Sequence, residues 1–198
     1  PNANWRKPLF QALGKLLIAP NQYLSTRERI AAALIGTRDR NVMVIFKRAL
    51  NNRNPDVRRL ACLAAGALEA EKVLPELTEL LIDDNENVTL SAGLALGAIG
   101  TEPAIDEMWA ALTDENSPDS LRKAIAEAFA AIPDEGYPII FNAANAENYL
   151  LRRAAVFGLR RINTSWALIA LHRRSIEDDQ WFVRSAAETA FEEMQYGD

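Results

Sequence analysis

Apolar residues recur along this chain with the period of an α-helix. In the stretch that begins at residue 57, four apolar or small residues are separated by four, three and four positions, namely Val57, Ala61, Ala64 and Leu68. Side chains at this spacing lie on one face of a helix. Further apolar residues beside them widen that face, so the pattern predicts a helix that is buried around much of its circumference.

This stretch is one of several related copies. Five copies begin 30 to 33 residues apart, at Val57, Val88, Leu121, Leu151 and Val183, and a weaker copy begins at Arg27. Another helical run lies between each copy and the next, for example over residues 74–81. A period of about 30 residues with two helices per unit is typical of helical repeat proteins. In such a protein, each helix pair buries its apolar face by stacking on the next pair.

The sequence therefore predicts an all-α fold, an α-α superhelix in the form of a right-handed solenoid of about six helix pairs. We expect a single domain over residues 1–198, with pairs over residues 5–37, 40–69, 71–100, 102–132, 134–162 and 164–195. Asn54-Pro55 and Ser117-Pro118 each place an N-cap residue before a proline at the first helical position. The run after Pro133 is weaker, and we expect a short helix that starts late.

Composition and charge exclude several classes of protein. Hydrophobic residues make up 49% and charged residues 25% of the chain, which is the balance of a soluble folded protein. No apolar run reaches the roughly 20 residues that a membrane helix needs. The net charge of −5 argues against a dedicated nucleic-acid binder, which needs a positive field. The single cysteine, Cys62, can form no intrachain disulfide, so we expect a buried thiol in a reducing, cytoplasmic compartment.

Residues 54–68, with the sequence NPDVRRLACLAAGAL, resemble the short HEAT repeat. More narrowly, they are similar to the version of about 30 residues that is named after the phycobilisome bilin-lyase (PBS-lyase) subunits. In that version, Asp-Pro and Val-Arg precede an Ala-rich helix with Gly near its end. The resemblance extends from about residue 26 to about residue 195 and implies an armadillo-like α-solenoid of HEAT-like repeats. The same repeat serves in scaffolds, adaptors and regulatory domains, so it specifies fold more than function.

The resemblance also assigns a role to the arginine near the start of each copy. In the family this residue usually forms a ladder by bonding an Asp at the end of the preceding helix. The arginines concerned are Arg58, Arg122, Arg152 and Arg184. Asp178 stands six residues before Arg184, as the family pattern implies. Thr89 replaces the arginine of one unit, and other residues replace the Asp in three units, at Asn52, Asn116 and Ala146.

Basic residues at equivalent positions of the copies are the first candidates for a binding site. They are Arg58, Arg59, Arg122, Lys123, Arg152, Arg153 and Arg184. Equivalent positions align on stacked helices, so these side chains are expected to form a basic edge that could hold an acidic peptide or a phosphate. The alternative interpretation is a structural ladder with salt bridges to the neighbouring acidic loops.

Aromatic residues are the second group of candidates. Trp181 and Phe182 stand at the start of the last copy, where they could form exposed contacts with a partner. Trp109 fits an apolar helical stripe, so we expect it to pack in the core.

The sequence predicts no catalytic residues, no metal site and no cofactor. His172 is the only histidine, and neither a glycine-rich phosphate loop nor a nucleophile elbow is present. We therefore predict a non-catalytic scaffold or adaptor that binds an unidentified protein partner, without membrane insertion. Its polar last helix favours a monomer, or one part of a larger chain. Two alternatives stay open: a bilin-lyase-related subunit that handles a chromophore, and a HEAT-like DNA glycosylase, against which the acidic net charge argues.

Overall fold

The computed structural model describes residues 5–196, apart from the side chain of Arg40, and this part of the chain contains helices and no β-strand. Its twelve α-helices are α1 (Arg6–Ile18), α2 (Leu24–Gly36), α3 (Met43–Leu50), α4 (Pro55–Ala67), α5 (Leu74–Glu79), α6 (Glu86–Ile99), α7 (Glu102–Thr113), α8 (Asp119–Ala130), α9 (Pro133–Ala144), α10 (Tyr149–Leu159), α11 (Ser165–Glu177) and α12 (Trp181–Tyr196). Short 3₁₀ turns adjoin α3 and α5, at Arg40–Val42, Glu71–Val73 and Leu80–Ile82. The predicted all-α fold of paired helices is thereby confirmed.

Residues 1–105 form one compact unit. Within it α1 packs against α2, α3 against α4, and α5 against α6. The first helices of the pairs contact one another in one layer, and the second helices α2, α4 and α6 do so in another. Large apolar side chains with at most 1% exposure fill the space between the layers, among them Phe46, Leu50, Leu77 and Leu96. This burial is what stabilises the layered arrangement.

Residues 106–198 form the other compact unit, and the boundary falls inside α7. Helix α9 packs against both α8 and α10, and α11 packs against α12. The second helices α8, α10 and α12 form a row, with α10 in the middle. Buried residues such as Ile125, Phe129, Ile140 and Leu171 form the core. Each unit has the paired layers of an α-α solenoid, whereas a single domain over residues 1–198 stays a prediction.

Asparagine side chains begin three of the second helices. The side chain of Asn54 accepts a hydrogen bond from the N–H of Asp56, and Asn85 and Asn148 cap α6 and α10 in the same way. Each cap satisfies a backbone donor that has no partner within the helix. The cap predicted at Ser117 is wrong, because α8 begins at Asp119 without a side-chain cap. The carbonyl of Ser117 accepts a hydrogen bond from Arg122 instead.

Helix α9 is longer than the sequence predicts. It starts at Pro133 and continues through Pro138 to Ala144. Its start is stabilised by a 2.8 Å hydrogen bond from the N–H of Gly136 to the carbonyl of Ile132. A Cβ atom on Gly136 would overlap the carbonyl oxygen of Phe129 in α8, so the glycine is what allows the two helices to approach. The expectation of a short, late helix is therefore wrong.

Candidate functional site

The ladder arginines bind the backbone just before their own helices. Arg58, Arg152 and Arg184 each donate from Nη1 to the carbonyl oxygen six residues earlier, at 2.8, 3.1 and 2.6 Å. Arg122 donates to the carbonyls of Ser117, Asp114 and Glu115. Each guanidinium therefore satisfies carbonyls in the loop between two helices, where a helix end leaves acceptors unpaired.

Two of these arginines also hold a carboxylate of the following repeat. Arg58 contacts Asp83 through Nε and Nη2, both at 2.7 Å. Arg152 contacts Asp178 in the same two-pronged way, at 2.7 and 3.0 Å. The side chains of Arg152 and Asp178 are 7% and 0% exposed. Paired hydrogen bonds of this kind are among the strongest in proteins.

The ion pairs change the acidity of both carboxylates. Burial opposes ionisation of Asp83 and Asp178, but hydrogen bonds from the arginines and from a backbone N–H outweigh it, so the pKa of each carboxyl lies below its ordinary value. The hydrogen bond with Asp83 correspondingly raises the pKa of Arg58, and that with Asp178 raises the pKa of Arg152. Both pairs are therefore ionised at neutral pH.

The direction of the ladder differs from the family pattern. The carboxylate that the pattern assigns to Arg184 belongs to Asp178, and it contacts Arg152 of the previous repeat. Arg184 binds the backbone carbonyl of Asp178. Thr89, which replaces an arginine, donates its hydroxyl to the carbonyl of Asp83 at 3.3 Å in the same manner. In the two complete rungs, Arg58 and Arg152 therefore bind the aspartate of the next repeat, Asp83 and Asp178.

The first repeat contains an additional rung arginine. Arg27 of α2 is 2% exposed, and it donates to the carbonyl of Ala19 at 2.7 Å and to that of Gln22 at 3.3 Å. Its Nη1 atom is buried and has no hydrogen-bond partner. The residue at the register of Asp83 and Asp178 is here Asn52. This rung therefore has the cation but not the carboxylate.

The second members of the basic doublets have other partners. Arg59 pairs with Glu28 of α2 at 2.9 Å. The ammonium of Lys123 lies 5.7 Å from the ring centre of Phe157. Arg153 pairs with the Asp119 carboxylate on α8. These side chains connect adjacent second helices, so the predicted basic residues divide into buried rungs and outer cations.

Arg153 belongs to an aromatic cluster at the start of α10 and α12. Its guanidinium carbon lies 5.9 Å from the ring centre of Phe182. Edge-to-face contacts join Phe182 to Trp181 at 5.9 Å and to Tyr149 at 5.5 Å. Trp181 is 70% exposed and Tyr149 is 43% exposed. We call these four residues the α10–α12 patch.

The α10–α12 patch unites both groups of candidates, since Arg153 comes from the basic doublets and Trp181 and Phe182 from the aromatic pair. Tyr149 was missed from the sequence. A signal was present, because Tyr149 and Trp181 are the first residues of α10 and α12 and so occupy equivalent places in two repeats. Exposed aromatic rings beside an arginine are typical of surfaces that bind proteins.

The other features considered in the sequence are Trp109, Cys62, a metal site and a membrane-spanning helix. Trp109 is 39% exposed, so its predicted place in the core is wrong; Met108 beside it is fully buried. Burial raises the pKa of the Cys62 thiol to about 12. Among the described residues, no group of three or more His, Cys, Asp or Glu side chains is placed to hold a metal ion. No helix within residues 5–196 is long and apolar enough to cross a membrane.

Layers of paired helices joined by arginine rungs define a helical repeat protein. The family model for HEAT repeats matches residues 10–88 and 42–130, which together span more than half of the chain. The chain therefore belongs to the HEAT-repeat family, and the resemblance found in the sequence is confirmed. No curated protein matches the chain.

Several solved structures are similar to this chain. Human deoxyhypusine hydroxylase in complex with glycerol is 16% identical, with 96% of each chain covered and a TM-score of 0.43. A designed armadillo repeat protein in complex with the peptide (KR)4 is 16% identical, with 92% of this chain and 99% of that chain covered and a TM-score of 0.45. The complex of CpcE and CpcF of phycocyanin lyase from Nostoc sp. PCC7120 is 22% identical, with 95% and 83% covered and a TM-score of 0.46. None of these three similarities bears on function.

Proposed function

We propose that this chain is a non-catalytic HEAT-repeat module that binds a protein partner through the α10–α12 patch. The observation that carries the proposal is the exposure of Trp181, which is 70% accessible although its ring packs edge-to-face on Phe182. A large aromatic side chain held in one orientation loses little entropy on binding and contributes a large apolar area. A cytoplasmic location is part of the same proposal, since Cys62 is a free thiol in the core.

The surroundings of Trp181 support a protein partner. Arg153 lies between the ring of Phe182 and the carboxylate of Asp119, so its position is fixed before a partner arrives. An arginine ordered in this way can bind a carboxylate or a carbonyl of the partner at low entropic cost. Tyr149 extends the aromatic area, with its hydroxyl available for a hydrogen bond. The patch therefore combines the residue types that dominate binding energy at protein interfaces.

The two alternatives gain less support from the same structure. A chromophore attached through a thiol needs a reactive thiolate, whereas Cys62 is fully buried and its pKa is about 12. A DNA glycosylase needs cationic side chains that can contact phosphates, whereas Arg58, Arg122 and Arg152 are occupied by the protein's own carbonyls and carboxylates.

Site-specific crosslinking tests the proposal. A photoreactive benzoyl-phenylalanine at position 181, used in the native lysate, is expected to capture a discrete protein. The control places the same group at Ile169 of α11, which is 67% exposed and thus equally accessible. Substitution Arg153→Ala in the position-181 protein is expected to abolish the adduct while the helical circular dichroism is unchanged. Equal adducts at both positions, or none at position 181, would contradict the proposed surface.

A further inference from the structure

Charge is distributed unevenly along the chain. Residues 1–50 contain nine Lys and Arg residues and two Asp and Glu residues, a net charge of +7. The remaining 148 residues contain thirteen basic and twenty-five acidic residues, a net charge of −12. The overall value of −5 therefore hides a strongly basic first quarter. An asymmetry of this size favours an anionic partner for that part of the molecule.

The basic quarter contains a groove with an apolar floor between α1 and α3. Two adjoining hollows share Gln11, Val44 and Ile45 and so follow the length of the two helices. Val44 is 70% exposed in this floor, and Phe10 and Ile18 extend it. Exposure of an aliphatic side chain in a concave surface indicates a place where a partner's apolar group gains energy by burial.

Cations line both walls of the groove. Arg6, Lys7 and Lys15 project from α1, and Arg48 projects from α3. All four side chains are exposed. Asp39 contributes a negative charge to the lining, and its carboxylate accepts two hydrogen bonds from Asn41, at 2.9 and 2.8 Å. The walls therefore present a net positive charge of three to whatever occupies the floor.

We propose that the groove between α1 and α3 binds an acidic, amphipathic segment of a partner protein. Apolar side chains of such a helix, spaced at i, i+3, i+4 and i+7, would cover Val44, Ile45 and Phe10. Carboxylates on its flanks would pair with Lys15 and Arg48 on opposite walls. The proposal is independent of the α10–α12 patch, because all of its residues lie within residues 6–48.

The shape of the site distinguishes this occupant from other anions. A nucleic-acid backbone would pair with the walls and leave the apolar floor without a partner. A lipid surface is flat and would contact Trp5, Leu9 and Leu16, which are exposed at the start of α1 and along it and do not line the groove. An amphipathic helix with acidic flanks, in contrast, provides partners both for the cations of the walls and for the apolar side chains of the floor.

Selection from a random peptide library against the full-length protein tests the inference. The enriched peptides are expected to carry a net negative charge and apolar residues at helical spacing. Their affinity is measured by fluorescence anisotropy. It is expected to fall at least about tenfold in the double variant Lys15→Glu/Arg48→Glu, which removes cations from the walls, and in Val44→Asp, which removes an apolar side chain from the floor. Arg29→Glu is the control, since Arg29 is exposed on α2 in the same basic quarter. It should change the affinity by about twofold or less.

Four results would overturn the inference. The first is enrichment of neutral or basic peptides, and the second is the absence of any enrichment. The third is an equal loss of affinity in Arg29→Glu, which would indicate a diffuse field instead of a groove. The fourth is binding to phosphatidylserine vesicles, lost in Leu9→Glu/Leu16→Glu, with no peptide enriched; this would assign the region to a membrane surface.

Discussion

Arg152 of α10 and Asp178, in the loop before α12, form a two-pronged ion pair in which the carboxylate is fully buried. Asp178 also accepts a 3.0 Å hydrogen bond from the N–H of Gln180, and its own carbonyl binds Arg184. A single aspartate thus connects one repeat to the next and orders the start of α12.

We expect Asp178→Ala to lower the free energy of unfolding by about 3 kcal/mol, because it removes the buried carboxylate from the Arg152 guanidinium and leaves only the exposed Asp179 as its charged partner. Urea unfolding followed by circular dichroism measures this change. Asp179→Ala is the matched control. Asp179 also pairs with Arg152, but its side chain is 71% exposed, so the expected loss is below about 1 kcal/mol. Equal losses in the two variants would contradict the structural role of Asp178.

The same pair should make stability depend on pH in the acid range. The pKa of Asp178 is lowered from its ordinary value of 3.8, chiefly through Arg152 acting against burial. The unfolded state then binds more protons than the folded state between the two pKa values, so stability rises with pH in that interval. The contribution is complete well above pH 3.8 and is lost as the pH falls through the lower, folded-state value.

Unfolding of the wild type and of Asp178→Asn should be compared at several pH values. The difference in unfolding free energy between the two proteins is expected to be constant near neutral pH and to shrink below about pH 4. A difference that stays constant down to pH 2 would show that the carboxylate has the same pKa in both states.

Asn52→Asp should stabilise the protein by completing the rung of Arg27. Arg58 and Arg152 have their aspartates 25 and 26 residues later, and Asn52 follows Arg27 by 25 residues. The side chain of Asn52 accepts a 2.9 Å hydrogen bond from the N–H of Asn54. The side chain of Asp83 accepts the equivalent 2.9 Å bond from the N–H of Asn85. From this register we expect a carboxylate at position 52 to pair with the unpaired Nη1 of Arg27 and to raise the free energy of unfolding by about 1–2 kcal/mol.

Thermal and urea unfolding of Asn52→Asp and Asn51→Asp measure this effect. Asn51 is exposed at the end of α3, so its substitution adds the same charge without a buried partner. A gain in both variants would indicate a general effect of charge in the basic quarter. A loss in Asn52→Asp would show that its register differs from those of Asp83 and Asp178.

Gly136→Ala should destabilise α9 strongly. The added methyl group would overlap the backbone carbonyl of Phe129, which cannot rotate away as a side chain can, so we expect a loss of about 3 kcal/mol or more. Gly36→Ala is the control, because nothing lies within 4 Å of the new atom. There the change should stay within about 1 kcal/mol and favour the folded state, since alanine is the better helix former. Denaturant titration of both variants provides the comparison.

The helices were predictable from the sequence because their pattern is local. Apolar spacing within a single copy, such as that from Val57 to Leu68, is enough to define a buried helical face. The length of α9 was not predictable in the same way. Gly136 reads as a helix breaker in isolation, and it is favourable here only because of the Phe129 carbonyl that faces it.

The direction of the ladder depends on contacts between residues about 25 positions apart. From the sequence alone, the Asp178 carboxylate could form an ion pair with either Arg184 or Arg152, and the local pattern does not decide between them. The packing of α10 beside α12 decides it, by bringing the Arg152 guanidinium to the carboxylate and leaving the backbone carbonyl to Arg184. Contact between Tyr149 and Phe182 depends on the same packing of α10 beside α12. The apolar pattern within one copy therefore does not identify Tyr149 as part of the patch.

The forward direction of the rungs has a consequence for how a unit unfolds. Opening the segment before α12 would take Asp178 away from Arg152, and opening the segment before α6 would take Asp83 away from Arg58, so the energetic penalty of a partial opening falls on the repeat that remains folded. In a linear array of repeats, a junction between a folded and an unfolded repeat costs free energy. When this cost is large compared with the folding free energy of a single repeat, partly unfolded states are rarely populated. We therefore expect repeats that are linked by a complete rung to melt together, which would keep the proposed binding surface ordered up to its edge.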